Sequence, residues 1–152
     1  MDLILVRHGE AKSGAEDPER SLTDRGADVV TRVAARLAAA GVTVGQIRHS
    51  GKRRAEQTAE IFARHMNPDE GVLAVPGLSP NDDVTPWARD LLNEDRNIML
   101  VGHLPFLARL AGLLVAGRTE LGVVDFEASS AVCLSRRQEG WFIRWVVSPA
   151  TA

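Results

Sequence analysis

Cysteine is almost missing: the chain carries one, Cys133. A lone thiol closes no internal disulfide, so folding does not call for an oxidising compartment. Its setting in Ala131-Val132-Cys133-Leu134 reads as that of a small buried hydrophobe. Long apolar runs are also missing. None approaches the roughly 18 residues of a membrane-spanning helix, and the opening run, Leu3 to Val6, follows Asp2 and does not read as a secretory leader. Nor does one sign of charge prevail, since 18 Lys and Arg face 20 Asp and Glu for a formal net charge of −2. That balance excludes the broad positive field of a nucleic-acid binder or a polybasic membrane anchor. Repeats, low-complexity tracts and linkers are absent too. These absences lead to the expectation of a cytoplasmic globular protein with no nucleic-acid or membrane partner. The 152 residues suit one domain over 1–152.

The patterning that is present alternates. Leu3-Ile4-Leu5-Val6 predicts a strand buried on both faces. Residues 12–22, with Gly14 and Pro18, predict a loop. Thr23 is the candidate N-cap of a helix whose Val29, Val30, Val33, Leu37 and Ala40 recur at helical spacing up to a stop at Gly41. Val44 to His49 predicts a second strand, and Ser50 begins a helix running to about Met66. A third short strand is expected at Val72–Val75, a loop at Pro76–Asp82, a helix at Val84–Glu94 and a buried fourth strand within Asn97–Gly102. Pro105 suits the first position of another helix, through Leu114. Residues 117–128 are irregular. Ala131–Ser135 and Trp141–Val147 predict a hairpin turning near Glu139-Gly140. The sum is an α/β fold, a three-layer sandwich. Its sheet is mostly parallel, with one or two antiparallel strands near the C-terminus and helices on both faces.

In such sheets ligands bind beyond the carboxyl ends of the strands. The residues found there are Arg7-His8-Gly9-Glu10, then His49-Ser50-Gly51-Lys52-Arg53-Arg54, then Gly102-His103-Leu104-Pro105. Two histidines, several arginines and a helix start at strand exits suggest an anion site. Arginine matches phosphate oxygens with a planar fork of donors, and a helix N-terminus adds free N–H groups. An imidazole, much of it neutral near pH 7, can attack phosphorus. A second histidine and the arginines can then stabilise the charge that develops on the equatorial oxygens. No cofactor or metal is required, and no Asp, Glu or Cys set at ligand spacing joins His8 and His103. His49 and His65 read as structural, and Trp87, Trp141 and Trp145 as packing.

Four motifs in order carry a family resemblance. Val6-Arg7-His8-Gly9-Glu10 resembles the Arg-His-Gly signature of the histidine phosphatase superfamily, the phosphoglycerate mutase-like fold. Ser21-Leu22-Thr23-Asp24-Arg25-Gly26 is similar to its Leu-Thr-x-x-Gly element, Arg54-Ala55-Glu56-Gln57-Thr58 to its Arg-Ala-x-Gln-Thr helix start, and Val101-Gly102-His103 to its second histidine motif. The small size, Asp17-x-x-Arg20-Ser-Leu-Thr, Gly-His-Leu-Pro and Trp145-x-x-Ser148-Pro149 resemble the SixA-type phosphohistidine phosphatases. The resemblance implies a metal-independent phosphohydrolase with His8 as nucleophile. It further implies that Arg7 and Arg54 clamp the phosphate, that His103 completes the pocket and that Arg20 lies near the substrate. The partner it implies is a phosphohistidine-bearing protein or a small phosphate compound.

Two departures bear on that expectation. Where the family usually has Ser-Pro, this chain has Ser50-Gly51. Larger relatives place a glutamate acid after the third strand, and here that loop reads Pro76-Gly77-Leu78-Ser79-Pro80-Asn81-Asp82-Asp83. An alcohol leaving group wants a proton donor, whereas a phosphohistidine needs less help. Glu10, Asp82 and Asp83 are the remaining candidates for an acid. A small-molecule phosphomonoester phosphatase and a non-catalytic phosphate-binding module are the competing readings.

Overall fold

The computed structural model describes residues 1–138 and 140–152. Glu139, at the expected hairpin turn, lies outside the described residues. The elements, in chain order, are β1 (Asp2–Arg7), α1 (Asp24–Ala39), β2 (Gln46–His49), α2 (Arg53–Met66), β3 (Val72–Ala74), α3 (Thr85–Asp90), β4 (Ile98–Gly102), α4 (Phe106–Ala116), β5 (Ala131–Arg137) and β6 (Gly140–Val147). They form a six-stranded sheet in the order β3-β2-β4-β1-β5-β6. Strands β1 to β4 pair in parallel, and β5 runs antiparallel to both β1 and β6. The expected α/β architecture is therefore the observed one.

Burial of β1 on both faces explains the layers. Ile4 and Val6 pack with Val30, Val33 and Leu37 of α1 and Ala59 and Phe62 of α2. Leu3 and Leu5 face the other way, with Leu91, Phe106, Leu107 and Leu110. The helix expected over Val84–Glu94 is α3 followed by a 3-10 turn, Leu91–Asn93. The helix expected from Ser50 begins instead at Arg53. Cys133 is buried, and that burial pushes its thiol up to about 12, which suits the packing role read from its neighbours.

The start of α1 ties the first loop to the sheet. The Thr23 hydroxyl oxygen accepts from the Gly26 amide at 2.9 Å, the N-cap bond, and its own hydrogen goes to a Glu10 carboxylate oxygen at 2.9 Å. A Cβ on Gly26 would stand 2.1 Å from the Glu10 carbonyl oxygen, so only glycine lets α1 pack this closely on the segment that leaves β1.

Candidate active site

Register builds the site. Arg7 on β1 lies opposite Gly102 on the adjacent parallel strand β4. One residue later both chains leave the sheet, each carrying a histidine. The His8 and His103 rings end with centroids 5.0 Å apart and planes at 53°. On the far side of β4, His49 of β2 is level with Val101, so Ser50 leaves the sheet beside Gly102. Its hydroxyl lies 2.6 Å from His103 Nε2.

His8 is held in one tautomer. Its Nδ1 lies 2.7 Å from the Gly9 carbonyl oxygen, which can only accept, so Nδ1 carries the proton and donates it. In the neutral ring this leaves the lone pair on Nε2. Burial pushes the His8 pKa down to about 4, against the opposing pull of the Gly9 bond and with help from the charges of Arg54, Arg7 and Arg20. His8 is therefore neutral at pH 7. His103 is 2 % exposed, and burial, followed by the charges of His8, Arg54, Lys52 and Arg20, lowers it to about 3.

Around these rings, donors stand without acceptors. Arg7 Nε, Arg54 Nε and His103 Nδ1 are buried and unpartnered among the described residues. Buried polar atoms are paired in the great majority of cases, and of the four without a partner among the described residues, Ser130 Oγ being the other, three belong to the candidate site residues. Arg7 makes no ion pair with the nearby-in-sequence Glu10 or Asp17. One terminal nitrogen instead donates to the Phe126 carbonyl at 2.8 Å. Arg20 is exposed, in the left-handed region at φ 51°, and donates from Nε to the Lys12 carbonyl at 3.2 Å. It lies close enough for its charge to lower His8, Arg54 and His103 together. The neighbouring Asp17 accepts from the Ser21 hydroxyl and from the Ser21 and Glu19 amides.

Several supporting residues were not singled out by sequence. Thr58 is fully buried and accepts from the Gly9 amide at 3.1 Å while donating to the Arg54 carbonyl at 2.8 Å. It thereby locks the His8 segment to the helix that carries Arg54. Gln57 accepts from the Leu22 amide at 2.7 Å and pins the first loop. Both belong to the Arg-Ala-Glu-Gln-Thr motif, which was the available signal. Ser129, at φ 70°, donates its amide to the Arg7 carbonyl at 3.0 Å, and nothing in its residue type announced that. At the start of α4 the Leu107 amide is already engaged. It donates to the His103 carbonyl at 3.0 Å and fixes the backbone of that histidine.

The other histidines are structural. His49 Nδ1 accepts from the Gly51 amide at 3.1 Å, and His65 Nδ1 donates to the Ile61 carbonyl at 3.0 Å. Among the described residues no three His, Cys, Asp or Glu side chains are grouped as a metal ion would need, and no helix is long and apolar enough to cross a membrane.

Comparison with known proteins places this geometry. The model of the histidine phosphatase superfamily (branch 1) matches residues 3–79, which contain His8, Arg7, Arg20 and Arg54. An uncharacterized protein of a Picosynechococcus strain is 35% identical over 127 residues, covering 78% of this chain and 76% of that protein. Among solved structures, the protein histidine phosphatase SixA complexed with tungstate superposes with a TM-score of 0.87 at 28% identity, over 99% of this chain and 98% of that one. A phosphoserine phosphatase of Entamoeba histolytica, solved with 3-phosphoglyceric acid, shares the fold with a TM-score of 0.72 at 19% identity, over 97% and 96% of the two chains. The SixA-type resemblance read from the motifs thus extends over the whole fold. The chain belongs to the histidine phosphatase superfamily (branch 1) and is a phosphatase.

Proposed function

We propose that the chain dephosphorylates a phosphohistidine-bearing protein through a covalent intermediate on His8. The observation that carries this reading is how the nearby carboxyls are engaged. Glu10 is tied to the Thr23 hydroxyl at the start of α1. Asp82 accepts from the Ser79 amide at 2.9 Å and closes the turn after β3. Asp83 accepts from the Thr85 amide at 2.9 Å, and that bond holds its carboxyl below the usual value, the wrong direction for a proton donor at pH 7. With all three acid candidates in local turns and caps, the site suits a leaving group that brings its own proton. Likeness to the protein histidine phosphatase SixA supports the same substrate class.

The chemistry follows from the tautomer of His8. Its Nε2 attacks phosphorus, an N–P bond forms, and the bond to the leaving nitrogen breaks with its electron pair on that nitrogen. A protonated phosphoimidazole leaves as neutral imidazole and needs no acid from the site. His8 becomes cationic, and its Nδ1–H bond to the Gly9 carbonyl turns into a charge-assisted one. Arg7, Arg54 and His103 hold the equatorial oxygens with donors that are already in place, so little reorganisation accompanies the charge that develops. Water then attacks the phosphohistidine, and the N–P electron pair returns to Nε2 as phosphate departs.

The test supplies a phosphohistidine-bearing carrier protein and, separately, p-nitrophenyl phosphate, and follows phosphate release by the intact chain and by His8→Ala. Release from the phosphoprotein, lost in the variant, is the expected result. Release mainly from the ester would shift the reading to a small-molecule phosphomonoesterase. Phosphate binding without release from either would shift it to a binding module.

A further inference from the structure

We infer that Ser50 is a positioning residue, whose hydroxyl holds His103 in the tautomer that presents Nδ1–H to the phosphoryl oxygens. The inference rests on the proposed use of His103 as a donor to the substrate. Its physical basis is a question of direction. Ser50 Oγ and His103 Nε2 are 2.6 Å apart, so one of them donates to the other. A serine hydroxyl has one hydrogen and two acceptor sites. The Lys52 amide points its hydrogen at the same oxygen from 3.4 Å, the weak turn bond a serine makes with the residue two places on. The amide takes one acceptor site, and His103 Nε2 is the one acceptor within reach of the hydroxyl hydrogen among the described residues, so donation to Nε2 is the arrangement that uses that hydrogen. A neutral imidazole that accepts at Nε2 carries its proton on Nδ1.

That nitrogen is one of the buried atoms without a partner in the described residues. Its direction decides what a phosphoryl group would meet. With the proton on Nδ1, the ring offers a donor to an anionic oxygen. With the proton on Nε2, it turns a lone pair toward that oxygen and repels it. The low pKa of His103 sharpens the choice, because a ring that is neutral in the resting site can donate from Nδ1 in one tautomer only.

The turn after Ser50 has a backbone that Ser-Pro would not fit. Gly51 sits at φ 87°, a value a proline ring, fixed near −65°, cannot take. The glycine lets the chain turn so that the Lys52 amide reaches back to the serine oxygen. His49 supports the same turn by accepting from the Gly51 amide at 3.1 Å. Three consecutive residues after β2 therefore serve the orientation of a ring 53 positions away in sequence.

The experiment is long-range 1H–15N correlation of the histidine rings at pH 7 in uniformly 15N-labelled chain. His103→Gln identifies the His103 resonances by their loss. The expected result is a protonated-type Nδ1 and an unprotonated-type Nε2 for His103, with the Nδ1 signal moving when inorganic phosphate is added. In Ser50→Ala both nitrogens should shift toward the averaged values of mixed tautomers, while the His8 signals stay. The turnover number of that variant on the phosphohistidine carrier should fall about tenfold or more, as when the partner that orients a ligating histidine is removed. A His103 protonated on Nε2 in the intact chain would overturn the inference, and so would an unchanged tautomer or unchanged turnover in Ser50→Ala. The tautomer is read without turnover, so it stands or falls separately from the substrate assignment.

Discussion

The two ends of the parallel strands differ in how their arginines are paired, the exposed Arg53–Glu56 pair at the start of α2 aside. Where the strands begin, guanidinium groups meet carboxylates. Arg144 on β6 pairs with Asp2 at the start of β1. Just ahead of β4, Glu94 takes both Arg48 at 3.0 Å and Arg96 at 2.7 Å, and Arg96 also reaches Glu70 ahead of β3. Where the strands end, Arg7 and Arg54 have no carboxylate partner among the described residues, and both leave a buried Nε unpaired. Both residues are half-buried, and a buried donor nitrogen left without an acceptor is costly. The protein carries that cost at the end where a phosphoryl group would supply the missing charge, and avoids it at the other. Glu94 gathers two arginines at one end, and at the other Arg7 and Arg54 each keep an unpaired donor among the described residues.

The strongest way to break the comparison is to remove one arginine from each end. Arg54→Ala should lower kcat/KM about 10²- to 10³-fold, as loss of a preorganised donor to a developing oxyanion does, while its unfolding midpoint changes little. Arg48→Ala should do the reverse. Activity should stay within about twofold, and stability should fall by about 1–2 kcal/mol as Glu94 loses one of its two charge-assisted partners. Steady-state kinetics and urea unfolding of the two variants check both halves. Equal losses of activity would remove the distinction between the ends.

Next in size is the seam that joins the site to α1. Gly26→Ala forces a methyl group against the Glu10 carbonyl and should cost about 2–3 kcal/mol and displace His8, seen as loss of both stability and kcat. Thr23→Ala removes the cap and releases the Glu10 carboxylate, and should cost about 1 kcal/mol with activity on the phosphohistidine carrier largely kept.

A separate effect is on the pH dependence of stability. His8 and His103 have folded pKa values of about 4 and about 3, below the ordinary 6.5. As pH falls from 6.5 toward 4 the unfolded chain takes up protons that the folded chain does not, so the unfolded state binds more protons and stability declines. Above about pH 7 the two rings contribute no slope. His103→Gln should flatten part of the decline in urea titrations between pH 7 and 4, and an unchanged slope would mean that the ring is not buried neutral.

Much of this was legible in sequence because it depends on strand register. Apolar runs ending at Arg7-His8 and at Gly102-His103 predicted that both histidines would lie at one sheet edge, and the pairing of Arg7 with Gly102 delivers them side by side. The Arg-Ala-Glu-Gln-Thr motif likewise placed Arg54 on the first turn of α2. What was not legible depends on groups whose type carries no signal. The Phe126 carbonyl that steadies Arg7 and the Ser129 amide beneath it come from a segment read only as irregular, because a backbone group can be recruited from any residue. The engagement of Glu10, Asp82 and Asp83 was equally hidden, since a short polar loop can turn a carboxylate either toward the substrate or onto its own amides. The direction of the Ser50 hydroxyl required His103 to be seen beside it.

The central claim, a neutral His8 that accepts the phosphoryl group on Nε2, is tested most directly by trapping the intermediate. The chain is mixed with a carrier protein bearing 32P-phosphohistidine, quenched in alkali within one turnover, digested and mapped. The account predicts label on the peptide containing His8, stable to alkali and released by acid as an N–P bond is, and absent from His8→Ala. Phosphate release at full rate with no label on His8, or retained by His8→Ala, would contradict it.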